Sequence, residues 1–265
     1  MQELIEALIL GIVQGLTEFL PVSSSGHLEI MKVMLDDDSV ADQSMLTTVI
    51  LHFATALATV WVFRNDIVKI VKGLFQDDPA NSNRKFATFI IISMIPAVFV
   101  GLFFEETIEL LFHRNLVLVG SMLLVTGLLL LLSERLKVKA SSIGPLSAFI
   151  IGISQAIAIL PGISRSGSTI ATSLLLGINK TEAARFSFLM VVPLIFGKMA
   201  KDALSGDLIE HMPSASYLII GFCAAFVSGY LACKFMLKIV QKSKLSWFAL
   251  YCFIVGLSLL IYCFY

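Results

Sequence analysis

Predominantly apolar residues fill six long stretches of this chain: 45 to 63, 86 to 104, 116 to 132, 183 to 200, 215 to 237 and 247 to 264. Each comes close to the roughly 20 apolar residues that a helix needs to cross a bilayer. Four other apolar stretches, 4 to 20, 24 to 35, 145 to 160 and 167 to 178, are short or broken by Pro, Gly and Ser. They come in two pairs, each hinged on a polar loop. Irregular backbone at membrane depth is tolerated only where protein or a water-filled cavity surrounds it. Each pair is therefore predicted to be a re-entrant helical hairpin.

The two hinges resemble each other. Gly11-Ile12-Val13-Gln14 recurs as Gly152-Ile153-Ser154-Gln155, and Ser23-Ser24-Ser25-Gly26 recurs as Ser164-Arg165-Ser166-Gly167, both at an offset of 141. Pro96 to Gly101 lines up with Ala224 to Gly229, and Gly127-Leu128 with Gly256-Leu257, at offsets of 128 and 129. Self-similarity of this kind marks a duplication. The expected architecture is an all-α integral membrane protein of two repeats, residues 1–140 and 141–265, in one membrane domain. Each repeat holds a re-entrant helical hairpin plus three transmembrane helices. An odd number of crossings per copy inverts the second copy relative to the first. In that arrangement one face receives fourteen Lys and Arg residues, among them Arg64, Lys69, Lys72, Arg84 and Lys85, and the other only Lys32, Arg114, Lys198 and Lys201. Positive charge accumulates on the cytoplasmic side, so both termini are expected outside. The hairpin tips should then meet near the midplane, where inverted-repeat transporters place their ligand sites.

Composition narrows the chemistry. Hydrophobic residues make up 57% of the chain and charged residues 14%, well below the roughly 25% charged content of soluble domains. The 19 Lys and Arg balance the 19 Asp and Glu, which gives no argument for a nucleic-acid partner, so any anion site must be local. Cys223, Cys233, Cys252 and Cys263 lack metal-ligand spacing and read as packing residues. No Lys or Arg precedes Lys32, so the first apolar stretch is expected to stay in the mature protein.

Polar residues concentrate at the hinges. Gln14 and Glu18 are four apart and share a helix face, while Ser24 and His27 are three apart beyond the break at Pro21. An ionisable group inside a membrane costs roughly 2.5 to 3.5 kcal/mol by insertion scales and is functional by default. The bland alternative makes Glu18 a cap, His27 a satisfied interfacial histidine and the serines turn formers. At the second hinge, Pro161-Gly162-Ile163-Ser164-Arg165-Ser166-Gly167-Ser168-Thr169 precedes a helix-like run. A helix N-terminus offers free N–H groups to a phosphate. Gly162 and Gly167 allow close approach, Ser164, Ser166 and Thr169 add hydroxyls, and Arg165 offers a fork matched to phosphate oxygens. Arg165 could equally pair with Glu18 across the repeats, and the two roles can coexist. His52 reads either as a supporting partner of the site residues or as a histidine bonded within the bundle, Gly11-x-x-x-Gly15 as a packing face, and Asp36 to Asp38 as a solvated external loop.

At these two clusters the chain resembles the undecaprenyl-diphosphate phosphatase family, also known through bacitracin resistance. Gln14 and Glu18 match its Glu/Gln-x-x-x-Glu signature, Pro21 to His27 its Pro-Val-Ser-Ser-x-Gly-His stretch, and Pro161 to Thr169 its Pro-Gly-x-Ser-Arg-Ser-Gly-x-Thr stretch. Similarities around His52 and Ala183 to Phe188 extend the likeness over nearly the whole chain. Gln14 stands where the signature also allows Glu, and an amide brings no negative charge to a metal. The resemblance implies a homodimeric, divalent-cation-dependent enzyme of the bacterial plasma membrane that removes one phosphate from undecaprenyl diphosphate to recycle the cell-wall carrier lipid.

The residues then take provisional roles. Ser24 is the expected nucleophile and His27 its proton partner. Glu18, with Gln14, would hold Mg2+ or Ca2+ or orient His27. Arg165 would bind the diphosphate with Ser164, Ser166, Gly167 and Thr169, and Ser23 and Ser25 would add donors from the first hinge. Attack by water, or by His27 itself, is not distinguished by sequence. The competing function is a polyprenyl-phosphate transporter or flippase without hydrolysis, since broken helices in inverted repeats are also a transporter design.

Overall fold

The computed structural model describes residues 2–35, 41–76, 81–112, 115–135, 141–205, 213–242 and 244–265. Among them the chain forms twelve α-helices and no strand. In order these are α1 (Gln2–Phe19), α2 (Ser24–Met34), α3 (Ala41–Val62), α4 (Arg64–Leu74), α5 (Ser82–Phe103), α6 (Glu105–Leu111), α7 (Leu116–Arg135), α8 (Pro145–Ile157), α9 (Arg165–Leu175), α10 (Lys180–Ser205), α11 (Ala215–Lys242) and α12 (Ser246–Phe264). The six expected spans correspond to α3, α5, α7, α10, α11 and α12. Five helices are long and apolar enough to cross a membrane, and a sixth crossing results if the bent pair α3 and α4 is one span. The protein is thus an all-helical, multi-pass membrane protein. The acidic run Asp36 to Asp38 lies outside the described residues.

The helices on either side of each hinge pack on each other, α1 on α2 and α8 on α9. The second arms of the two pairs start in the same way. Ser23 Oγ accepts from the Gly26 N–H at 3.2 Å to cap α2, and Ser164 Oγ accepts from the Gly167 N–H at 3.0 Å to cap α9. Serine caps satisfy N–H groups that a helix start leaves open. Ser23 is held at φ 71°, a conformation unfavourable for a side chain. Its carbonyl is tied down twice, accepting from the His27 backbone N–H at 3.1 Å and bonded to His27 Nδ1 at 2.7 Å. At the second hinge Gly162 takes φ 95°, where a Cβ would also press to 2.5 Å from the Val119 carbonyl.

The first arm of each hairpin is wedged against a long helix by a small residue. A Cβ on Gly11 would come within 2.4 Å of the Gly221 carbonyl on α11, and one on Gly152 within 2.4 Å of the Ser93 carbonyl on α5. Gly11 and Gly15 thus form the expected packing face. Elsewhere α7 lies along α12, with Gly120 and Gly256 facing each other across the seam. Phe19, at the end of α1, meets Phe188 of α10 edge to face at 5.5 Å, and this pair sits in the main apolar cluster directly beneath the first hinge. Aromatic pairs in this geometry add roughly 0.5 to 1.5 kcal/mol beyond area burial.

The span ending near 63 bends by 80° into α4. Glu134, at the end of α7, accepts from the backbone N–H groups of Leu245 and Ser246, the latter at 3.2 Å, and so neutralises the start of α12.

Candidate active site

Glu18 is the centre of the site. It is buried in the last turn of α1, and one helical turn earlier Gln14 Nε2 donates to its Oε2 at 3.0 Å. Ser24, the first residue of α2, donates its hydroxyl to the same oxygen at 2.7 Å. Arg165, the first residue of α9, donates through Nη2 to Oε1. The first side chain of each capped arm therefore reaches one carboxylate, although 147 residues separate Arg165 from Glu18. His52 of α3 completes the set, its Nε2 3.5 Å from Glu18 Oε2 and its Nδ1 2.8 Å from the Thr48 carbonyl.

Arg165 is aimed by its surroundings. Its Nη1 donates to the Ser187 carbonyl on α10 at 3.1 Å. Ser187 in turn shares a 2.6 Å hydrogen bond with Thr169, whose hydroxyl also donates to the Arg165 carbonyl at 2.8 Å. Ser166 donates to the Leu20 carbonyl at 3.1 Å, stitching the second hinge to the first. Thr126 of α7 accepts from the Ser164 N–H at 3.0 Å and donates to the Gly162 carbonyl at 3.2 Å. The hydroxyls of Ser164, Ser166 and Thr169 are buried and engaged within the protein. In this arrangement they bond to backbone groups of the two hinges and to neighbouring hydroxyls. Gly167 is buried too, and a Cβ there would meet Pro21 Cβ at 3.2 Å. Ser24, Ser25, His27 and Arg165 are the partly exposed members of the two motifs. Ser23 and Ser25 lie 3.4 Å apart through their hydroxyls.

His27 is near Ser24 in sequence but is engaged elsewhere. The Ser23 carbonyl can only accept, which assigns the proton to His27 Nδ1. The other nitrogen, Nε2, lies 2.7 Å from the Tyr251 hydroxyl on α12, and the two rings stack with centroids 5.6 Å apart. In the neutral ring Nε2 accepts from that hydroxyl. The expected pairing of Ser24 with His27 is thus replaced by Ser24 with Glu18.

Of the two readings of His52 the structure favours the supporting partner, 3.5 Å from Glu18, while Ser187, Thr126 and Tyr251 are not singled out by the sequence. His52 alone carried a signal, as an imidazole in the middle of an apolar span. The other three are ordinary helix residues whose roles exist only after packing.

Two hinges inside the apolar bundle, converging on a buried carboxylate with a serine hydroxyl and a guanidinium, define a polytopic membrane protein with a buried polar cluster between its hinges. A family model described as "Bacitracin resistance protein BacA" matches residues 7–258, and the chain belongs to that family. It is similar to the undecaprenyl-diphosphatase of Christiangramia forsetii, 58% identical over 260 residues covering 98% of both chains. Similar relatives with the same description occur in Parabacteroides distasonis, 49% identical over 95% of both chains, and in Bacteroides fragilis, 49% identical over 96% of both.

Proposed function

We propose that the protein is a membrane phosphatase that hydrolyses undecaprenyl diphosphate to the monophosphate and inorganic phosphate, regenerating the lipid carrier for cell-wall polymers. The observation that carries this reading is the carboxylate of Glu18 held between a nucleophile, Ser24, and an anion-binding fork, Arg165. In phosphoryl transfer, catalysis is mostly alignment and stabilisation of charge on the moving group. Ser24 Oγ attacks the terminal phosphorus, its proton passes to Glu18, and the bond to the bridging oxygen breaks to release the lipid monophosphate. Water then attacks the phosphoserine, Glu18 returns its proton to Ser24 Oγ as that P–O bond breaks, and inorganic phosphate leaves. Arg165 exchanges Glu18 for the phosphoryl oxygens as the proton arrives, since a neutral carboxyl no longer holds it. His27, partly exposed beside Ser24, takes the proton of the attacking water at Nε2, the nitrogen that carries none in the neutral ring, on leaving the Tyr251 hydroxyl.

A divalent cation fits the residues present. Glu18 Oε1 has a lone pair left beside Arg165, and Gln14 Oε1 is buried without a hydrogen-bond partner among the described residues. Mg2+ is commonly held by one or two such oxygens, with water and substrate phosphates completing its shell. Glu18 and Gln14 would be the protein's oxygen donors to such a Mg2+ or Ca2+ ion. Such an ion supplies neutralisation of phosphate charge.

The finer architecture belongs to the same proposal. Each hairpin's first arm packs on a span of the other half, α1 on α11 and α8 on α5, and Gly11 against Gly221 corresponds to Gly152 against Ser93 under the offsets of 141 and 128. This exchange of equivalent partners supports two repeats, 1–140 and 141–265; the proposal places them inverted in the inner membrane with both termini outside, on the charge asymmetry of the loops, and as a homodimer on the family resemblance alone. Single cysteines, in a background lacking the native four, are expected to label from outside at positions 38 and 110 and only from the cytoplasm at 78 and 139. Labelling of 38 and 78 from one face sinks the inverted arrangement.

Purified protein in detergent, with no gradient present, should release inorganic phosphate from undecaprenyl diphosphate. Binding without release would instead indicate a lipid transporter.

A further inference from the structure

The segment that follows the first long span does something the phosphatase reading leaves unused. α4 has 11 residues, about 16 Å of helix, and leaves α3 at 80°. It is too short and too steeply bent to cross a core about 30 Å thick. Ile70 is buried, and a Cβ on Gly73 would touch Asn83 Cβ at 2.7 Å, so α4 is clamped onto the first turn of α5. Its other side is open. Val68, Val71 and Phe75, spaced to share one face, are 50%, 46% and 84% exposed. Lys69 and Lys72 flank that stripe and are exposed, as are Arg84 and Lys85 on α5.

Charge decides what covers this surface. Lys69, Lys72, Arg84 and Lys85 make no ion pair among the described residues, whereas Asp66, the acid of α4, is already paired with Arg185 at 2.7 Å. Asp77 and Asp78 follow outside the described residues and leave the segment net basic, counting Arg64 and Arg185. Arg84 and Lys85 also line, with Thr88 and Phe89, an open cleft of about 290 Å3. Its lining sets two cations and a hydroxyl beside an aromatic ring. At the bend itself Trp61 is 57% exposed, with the Arg64 guanidinium 5.7 Å from its ring centre. Tryptophan at that level is a headgroup anchor, and an apolar stripe edged by cations is the pattern of a helix lying in the interface.

We propose that α4 and the first turn of α5 form an interfacial docking surface for anionic phospholipid head groups. Val68, Val71 and Phe75 sit at the acyl boundary, and Lys69, Lys72, Arg84 and Lys85 hold the phosphates. The proposal rests on the membrane reading but not on the phosphatase reading.

Trp61 supplies the probe. The full chain carrying Trp247→Phe, in nanodiscs of mixed phosphatidylcholine and phosphatidylglycerol, should be quenched more by brominated phosphatidylglycerol than by brominated phosphatidylcholine. A cation near an anionic surface contributes roughly a fivefold factor, so the combined variant Lys69→Gln, Lys72→Gln, Arg84→Gln, Lys85→Gln should lose the preference. Raised salt should narrow it in the parent chain. The variant with Lys69→Arg and Lys72→Arg should retain it, which separates loss of charge from loss of structure. Equal quenching by the two lipids in the parent chain, or a preference that survives the fourfold replacement, would overturn the proposal. No turnover is measured, so failure here leaves the phosphatase reading untouched.

Discussion

Arg165→Ala is expected to lower phosphate release from the lipid diphosphate by about 100- to 1,000-fold, the usual cost of removing one donor aimed at developing charge. It should also destabilise the protein, because Glu18 is left as a buried charge with its main counter-ion gone. Breaking one partner of a buried pair costs on the order of 3 to 5 kcal/mol. The two effects can be separated. In the double variant Arg165→Ala with Glu18→Gln no buried charge is stranded, so thermal stability in detergent should recover while turnover stays low. Arg165→Lys gives a third combination. The guanidinium serves two acceptors at once, Glu18 through Nη2 and the Ser187 carbonyl through Nη1 at 3.1 Å. An ammonium keeps the charge but lacks that planar fork, so stability should largely return and activity should not. Near wild-type turnover in Arg165→Ala would remove the guanidinium from the mechanism.

The hinges were legible in the sequence because they violate a local rule. Ser23 and Ser164 interrupt apolar runs with a helix-capping residue, and both became caps. Glu18 and Arg165 were legible for a second reason, as charges where charges are expensive. What sequence could not supply was the partner of each charge, because that depends on how α1, α2, α9 and α10 are brought together. Ser187 acts through its backbone carbonyl, which no side-chain pattern announces. Tyr251 lies 224 residues from His27 and looks like any aromatic of an apolar span. α4 was missed because Arg64, Asn65 and Asp66 end the apolar run, although the spacing of Val68, Val71 and Phe75 continues on a helical face. A search for long spans discards a short helix with one apolar stripe. The pairing of Ser24 with His27 was inferred from a three-residue spacing, but the Ser23 carbonyl holds the imidazole turned away.

That difference sets the division of labour in the first hinge. Ser24→Ala removes the nucleophile and leaves Arg165 in place, so it should abolish phosphate release while lipid binding persists. Glu18→Gln should abolish it as well, for a separate reason: an amide cannot take the proton that Ser24 Oγ now directs at Oε2 across 2.7 Å. Groups that act as one unit are not additive, so the Ser24→Ala, Glu18→Gln pair should be scarcely worse than either alone. His27→Ala removes a proton-transfer group typically worth about 100- to 10,000-fold and should leave a residual rate. Tyr251→Phe removes only the hydrogen bond that holds His27 Nε2, a contact worth about 0.5 to 1.5 kcal/mol. It should therefore lower kcat by only about 2- to 10-fold and barely change KM. A Tyr251→Phe loss as large as that of His27→Ala would mean that the hydroxyl itself transfers the proton. The trapped intermediate decides the acceptor. Acid-stable phosphate on Ser24 fits attack by the hydroxyl, and acid-labile phosphate on His27 would move the role to the imidazole. If Ser24→Ala keeps most of its turnover, the attacking group is water, and the short contact between Ser24 and Glu18 serves only to hold the carboxylate in place for Arg165.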